Sequence, residues 1–410
     1  MPQELIPFVA KTTQVMIKGV QEVKYFPING FQTSDTANFE IPAQPNLMIK
    51  NIEIVTKFKI SPVDESKAKE EVTLASNPAN ALWKQVDIVL NNKYQLSNPM
   101  QQSSNYETFF STILNVDKER EDVIFSNQAF HLDIGANKEE ADARNSAAVR
   151  RSMLIQDGKS LTVISDLNCS LLKTPKLLIP GLEFNIALTK NKPEFLLMSE
   201  EEWKIVIDQV YLNVTYVQPE DFYLKMLEDK LEKTPAIYDG HRSDISLFGI
   251  QSGVTKYMFN NIYRGPLPSF MVLCIQDREA INGDYGKNPY TFYPFKSIQL
   301  YLNNREYFPD PLATSEEDDT LMLNHFYKAL GYDLKGTCLI NRNNFRAHFM
   351  IPIVLARDRS VKFHHNLQEV ADFKVEIEFE EAVKPNQVLL VYSVFDQIIK
   401  IDKAREVERI

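Results

Sequence analysis

One short pattern occurs twice in this chain, and it constrains the fold more than any other feature. Ile88-Val89-Leu90-Asn91-Asn92-Lys93, followed by Asn98-Pro99-Met100, returns as Leu300-Tyr301-Leu302-Asn303-Asn304-Arg305, followed by Asp310-Pro311-Leu312, at a constant offset of 212 residues. Each copy leads into an aromatic segment with helical spacing, Tyr106 to Leu114 in the first and His325 to Leu330 in the second. Asn-Asn between two short β-runs suits a tight hairpin, because Asn tolerates positive φ better than most residues. The order is the same in both halves: hairpin, Asn/Asp-Pro, aromatic helix, with four extra residues before the second helix. A supersecondary unit used twice points to a duplicated all-β chain.

A chain of 410 residues exceeds one ordinary core and accommodates two. We place the division at residues 1–233 and 234–410: a first β-domain with an N-terminal arm and a closing helix, then a second. With 55 acidic against 45 basic residues the net charge is -10, which argues against a surface that coats nucleic acid through clustered Lys and Arg. Cys169, Cys274 and Cys338 are far apart, odd in number and without a CxxC. They read as small buried hydrophobes of a reducing compartment. The start of the sequence lacks a basic region followed by an apolar one, so no secretion signal is expected. No apolar run approaches 18 residues, so no transmembrane segment is expected.

Strand-like runs dominate: Leu47 to Ile60, Val86 to Leu90, Leu182 to Leu188, Trp203 to Val217, Ser269 to Gln276, Ser297 to Leu302, Phe345 to Leu355, Phe373 to Phe379 and Gln387 to Ile401. Period-2 alternation is clear from Lys204 to Tyr216 and from Phe373 to Phe379, where Phe, Val, Ile and Phe share one face and Lys and Glu the other. One buried and one wet face is how antiparallel sandwich strands read. Between the halves, Gln218-Pro219-Glu220-Asp221 predicts a helix with Pro219 at its first position, running through Phe222, Met226 and Leu231 to Lys233. An Ala-rich, charged stretch from Asn137 to Arg151 is a further helical candidate. It lies in a long excursion, Asp117 to Ser160, that reads as solvated and projecting from one end of a barrel.

Constellations that carry chemistry are missing. A metal site of the cupin kind needs His-x-His on a strand, and none of His131, His241, His325, His348, His364 and His365 forms one. Gly-x-Ser-x-Gly and the phosphate-loop spacing are absent; Gln251-Ser252-Gly253 and the segment from Gly283 to Asn288 read as turns. The acidic runs (Glu200 to Glu202, Glu316 to Asp319, Glu378 to Glu381) read as wet surface, and the sequons at Asn168 and Asn213 carry little weight without a secretion signal. Arg342, Arg346, Arg357 and Arg359 have Asp and aromatic neighbours and read as partners in local salt bridges rather than as nucleic-acid ligands. We therefore assign no catalytic residue, no cofactor-binding residue, no metal ligand and no cofactor.

Three passages resemble the major capsid proteins of Maverick/Polinton elements and adintoviruses, the hexon-like double jelly-roll family. They are Leu178 to Asn191 continuing through Pro193 to Met198; Ala280 to Phe292, followed by the strand from Ile298 to Leu302; and Val391 to Asp402. Together they span about a fifth of the chain, in the family's order. The family contributes no catalytic residues, and residues 1 to 45 and the excursion match nothing in it.

The resemblance implies two tandem eight-stranded antiparallel jelly rolls, with a few short helices in loops and at the junction. It implies a structural, non-enzymatic coat protein of an icosahedral virion, with three chains building a pseudo-hexameric capsomer. The implied partners are further copies of the chain and penton or minor capsid proteins, without sequence-specific nucleic-acid binding. Synthesis would take place in the host cytoplasm or nucleus. Two other readings compete: a bicupin-type metal-dependent enzyme, against which the missing His-x-His counts, and a glycan- or receptor-binding virion β-sandwich.

Overall fold

The structure is a computed structural model that describes residues 14–31, 34–64, 72–97, 103–133, 146–199, 201–263, 265–284, 287–314, 318–332, 338–356 and 369–409. Eight main strands build the first half: β1 (Ile17–Tyr25), β2 (Thr36–Ile41), β3 (Met48–Pro62), β4 (Trp83–Leu90), β5 (Tyr94–Gln95), β6 (Leu161–Asp166), β7 (Phe184–Lys190) and β8 (Trp203–Pro219). The second half repeats the set as β9 (Ala236–Gly249), β10 (Lys256–Asn260), β11 (Phe270–Asp277), β12 (Ser297–Leu302), β13 (Arg305–Glu306), β14 (Ile351–Val354), β15 (Phe373–Glu378) and β16 (Gln387–Ile401).

In the first half the strands form two antiparallel sheets, β1-β8-β3-β6 and β2-β7-β4-β5. In the second half the orders are β9-β16-β11-β14 and β10-β15-β12-β13, the same with every number raised by eight. Apart from the hairpins β4-β5 and β12-β13, successive strands alternate between the two sheets of each half, so each half is a jelly roll. The molecule is an all-β double jelly roll, as the resemblance implied.

Patterning explains the layers. Phe184, Ile186 and Leu188 of β7 face inward, as do Phe373, Val375 and Ile377 of β15. Their registers agree as well: Leu90 pairs with Phe184, and Leu302 with Phe373. Strand β11 is buried along nearly its whole length because its sheet is covered on both faces. One continuous apolar core runs through both barrels.

Among the described residues, five longer helices decorate the sheets: α1 (Ser104–Asn115), α2 (Glu121–Gln128), α3 (Ser146–Met153), α4 (Asp221–Leu231) and α5 (Thr320–Leu330). Helix α1 buries Tyr106, Phe109, Phe110 and Ile113, the stripe expected at 3.6-residue spacing. Helix α5 stops where Gly331 turns left-handed at φ +74°.

Four expectations need correction. Pro219 ends β8 instead of opening the junction helix, because it still pairs with Ile17; Glu220 is the cap position, and α4 stops at Leu231. The run from Phe345 to Leu355 is a strand only over Ile351–Val354; before it the chain turns, bringing Phe345 and Phe349 to a ring separation of 5.1 Å. The helix expected from Asn137 to Arg151 is described from Ser146 to Met153, and residues 134–145 lie outside the described residues. The excursion is not simply solvated, since Phe130, Asp133, Ala147, Ala148 and Arg151 are buried. Asn98-Pro99, Arg357, Arg359, His364 and His365 lie outside the described residues.

Candidate functional site

The most elaborate chemistry of the molecule lies where the two barrels meet. Helix α1 projects Tyr106, Phe109 and Phe110 from the first barrel toward the segment before β12 in the second. Phe109 stacks on Tyr290 at 4.3 Å between ring centroids, Phe110 on Phe292 at 5.7 Å, and Phe110 on Tyr392 at 5.1 Å. Phe195 meets Tyr290 edge-on at 5.8 Å. Such pairs add about 0.5–1.5 kcal/mol each beyond the area they bury. The Tyr106 hydroxyl donates to the carbonyl of Pro289 at 2.9 Å. The backbones also approach closely: a Cβ on Gly240 of β9 would lie 3.2 Å from the Ser170 carbonyl oxygen, so a larger residue there would require the Ser170 segment to give by a few tenths of an ångström.

Beside this stack is a buried polar cluster. Arg151 of α3 and Asp133 are 0% and 1% exposed at their side chains. Arg151 Nη2 donates to both carboxylate oxygens of Asp133, at 2.6 and 2.8 Å, and its Nε donates to the Leu74 carbonyl at 2.8 Å. Ser76 Oγ and Asn288 Nδ2 also donate to Asp133, the latter from the second barrel. His348, fully buried, places Nδ1 2.8 Å from the Tyr290 carbonyl and Nε2 2.9 Å from that of Asp133. Burial pulls its pKa down, against the opposing pull of Asp133 and the two carbonyls. A buried ion pair is tolerable only when its remaining donors and acceptors are matched, and here they are. The cluster is a joint between halves, with no exposed reactive atom.

The repeated hairpins have the same geometry. Asn91 and Asn92 have φ of 51° and 56°, Asn303 and Asn304 of 52° and 61°, the signature of the primed turns that match strand twist. Asn91 N–H donates to the Glu183 carbonyl at 2.8 Å, and Glu183 N–H returns to Asn91 Oδ1 at 3.0 Å. Asn303 and Asp372 repeat both bonds at 2.8 and 3.0 Å. Two residues further on, Asn185 donates to Asn92 Oδ1 and Lys374 to Asn304 Oδ1.

A polar cleft of about 320 Å³ opens between the barrels near the start of α1. Glu107 faces it, accepts from Ser243 Oγ at 3.0 Å, and is pushed up to about 7 chiefly by burial.

Sequence reasoning named no site residue. His131 lies against Glu121 and Arg150, His241 against Asp396 and His325 against the Pro352 carbonyl. Among the described residues no three His, Cys, Asp or Glu converge as a metal site. Cys169, Cys274 and Cys338 are free. Arg346 pairs with Asp319 at 2.7 Å, the local salt bridging expected of it. The joint residues Asp133, Arg151 and His348 were missed. Their one sequence signal is Ala147-Ala148, three to four residues before Arg151, which marks a buried face.

No family model matches the chain. A Caenorhabditis elegans protein, the uncharacterized F54H12.2, is 22% identical over 358 residues, 80% of each chain. Among solved structures, a chain of the Sputnik virophage aligns over 100% of this chain and 92% of its own, with a TM-score of 0.67 and 11% identity. The mavirus major capsid protein aligns over 100% and 93%, with a TM-score of 0.60 and 12% identity. The Faustovirus major capsid protein aligns over 96% and 92%, with a TM-score of 0.61 and 9% identity. At these identities the likeness establishes the shared fold.

Proposed function

We propose that the chain is a structural coat protein, a double jelly-roll major capsid subunit with no catalytic turnover. The observation that carries this reading is the pairing of two jelly rolls of identical strand order, fused by a dry aromatic and ionic joint. One chain then presents two similar barrels side by side, and three chains around an axis supply six, an approximation to sixfold packing. The two barrels act as units 1–233 and 234–410, with α4 closing the first. Two of the structural neighbours are major capsid proteins by name, which supports the same assignment. The Maverick/Polinton lineage is proposed on the sequence resemblance of Leu178 to Met198, Ala280 to Leu302 and Val391 to Asp402. Penton and minor capsid proteins would be its partners and the virion its location, after synthesis in a reducing compartment.

The test is the mass of the purified chain together with negative-stain imaging. The expected particle is near 142 kDa, three times the 47.2 kDa chain, with a hexagonal outline. A strict monomer at high concentration overturns the reading. Stoichiometric zinc, iron or manganese in the pure protein would instead revive a β-barrel enzyme.

A further inference from the structure

An apolar patch that the coat reading does not use lies where β1 meets α4. Val15, Met16, Ile17 and Val20 at the start of β1, and Phe222 and Met226 of α4, are each between 39% and 60% exposed. Three contacts tie the two elements together. Ile17 pairs with Pro219, Glu220 N–H donates to the Met16 carbonyl at 2.9 Å, and Lys18 Nζ donates to Asp221 at 2.8 Å. Six large apolar side chains therefore crowd one corner of the first barrel.

Helix α4 is apolar on two sides. Leu227 packs against the core and Leu231 is buried, the single stripe that a surface helix needs. Phe222 and Met226, one turn apart, project on the other side, where polar residues belong. Strand β1 adds an open edge: β8 pairs with one side of it, and no strand among the described residues pairs with the other. An apolar patch beside an unpaired edge is a contact surface or an aggregation hazard.

The chain itself supplies an occupant. The described residues begin at Gln14, directly at the patch. Gln14 Oε1 accepts from the N–H groups of Met16 and Ile17 at 2.8 and 3.2 Å, which fixes the entry to β1 as a tight turn. Upstream lies Leu5-Ile6-Pro7-Phe8-Val9-Ala10, an apolar run without a charge. Five residues from Val9 to Gln14 span up to about 17 Å, whereas Phe222 and Met226 lie about 6 Å apart along their helix. A segment tethered this closely competes at an effective concentration on the order of millimolar, which a second copy free in solution does not match.

We propose that the patch formed by Met16, Val20, Phe222 and Met226 is the docking site of the chain's own N-terminal segment, Leu5 to Ala10. The segment covers the outer side of α4 and keeps this corner of the barrel from sticking to other surfaces. The inference goes beyond the coat reading and is independent of it, since the contact is made within one chain.

The test is cysteine cross-linking in the full chain carrying C338S, because Cys169 and Cys274 are buried and Cys338 is not. Under mild oxidation F8C/M226C should form a disulfide at least fivefold faster than F8C/V123C, and the product should keep the mass of a single chain. Val123 is an equally exposed control on α2, which packs against β6 at the far edge of the same sheet. A rate no greater than the control overturns the proposal. Covalent dimers or trimers in place of the single-chain product also overturn it, because a second copy would then be the occupant. An independent measurement uses an apolar dye such as bis-ANS on a chain lacking residues 2–11. Dye binding should rise at least threefold over the full chain, and F222S/M226S should abolish that rise; no rise, or a rise indifferent to F222S/M226S, overturns the proposal.

Discussion

The two Asn-Asn hairpins have the same backbone and different surroundings. Both hold two residues at positive φ and share a reciprocal bond pair with the strand alongside. The first hairpin is tethered: Asn91 Nδ2 donates to the Arg405 carbonyl at 2.7 Å, and Lys93 and Tyr94 both meet Glu406. Those partners belong to the C-terminal turn beyond β16, which crosses back to the first barrel. The Arg405 side chain reaches the Pro180 carbonyl and Glu228. The second hairpin is exposed at Asn303, Asn304 and Arg305. Each barrel keeps what its turn needs locally and differs in what its turn touches, which lets two similar halves play unequal parts.

The largest expected effects come at the joint that holds these unequal halves together. Arg151→Ala would strand a buried carboxylate and cost about 3–5 kcal/mol, read by denaturant unfolding. If the halves are one cooperative unit, both barrels unfold in a single earlier transition. Two separated transitions in the unaltered protein would break the picture of a fused pair. Phe109→Ala should cost about 3–5 kcal/mol by opening a cavity against Tyr290, and calorimetry should show the same single transition.

At the hairpins, Asn303→Ala should cost about 1–2 kcal/mol through its left-handed backbone. Asn91→Ala should cost about 1 kcal/mol more, because it also loses the bond to Arg405; equal losses would erase the difference between the turns. Per pH unit, the smallest effect is the response of Glu107. Its folded pKa, about 7, lies above the ordinary 4.5, so the folded state holds a proton that the unfolded state has released. Stability is therefore full below about pH 4.5 and falls as pH rises toward 7, with a slope on the order of 1 kcal/mol per pH unit. Glu107→Gln should flatten that slope in melting curves taken from pH 4.5 to 7.5.

Much of the fold was legible because turns and alternating strands are local. The Asn pairs announced their backbone, and Ser297–Leu302 and Gln387–Ile401 were found to the residue. Strand β1 was missed because it is a sheet edge with most side chains in solvent, so it carries little apolar alternation. Strand β9 was missed for a related reason: His241-Arg242-Ser243-Asp244 in its middle serves the cleft rather than a core. The joint was illegible for a different reason. Asp133 and Asn288 are 155 residues apart, and charges in a long insertion read as solvated until a distant segment is seen to bury them.

The aromatic joint also bears on synthesis. A ribosome releases all eight strands of the first barrel before Tyr290 and Phe292 exist, so for several seconds Phe109 and Phe110 lack their stacking partners. During that interval the nascent first barrel exposes a sticky aromatic flank. Folding therefore depends on the second half arriving promptly, and a stalled or truncated message would yield a product prone to aggregate.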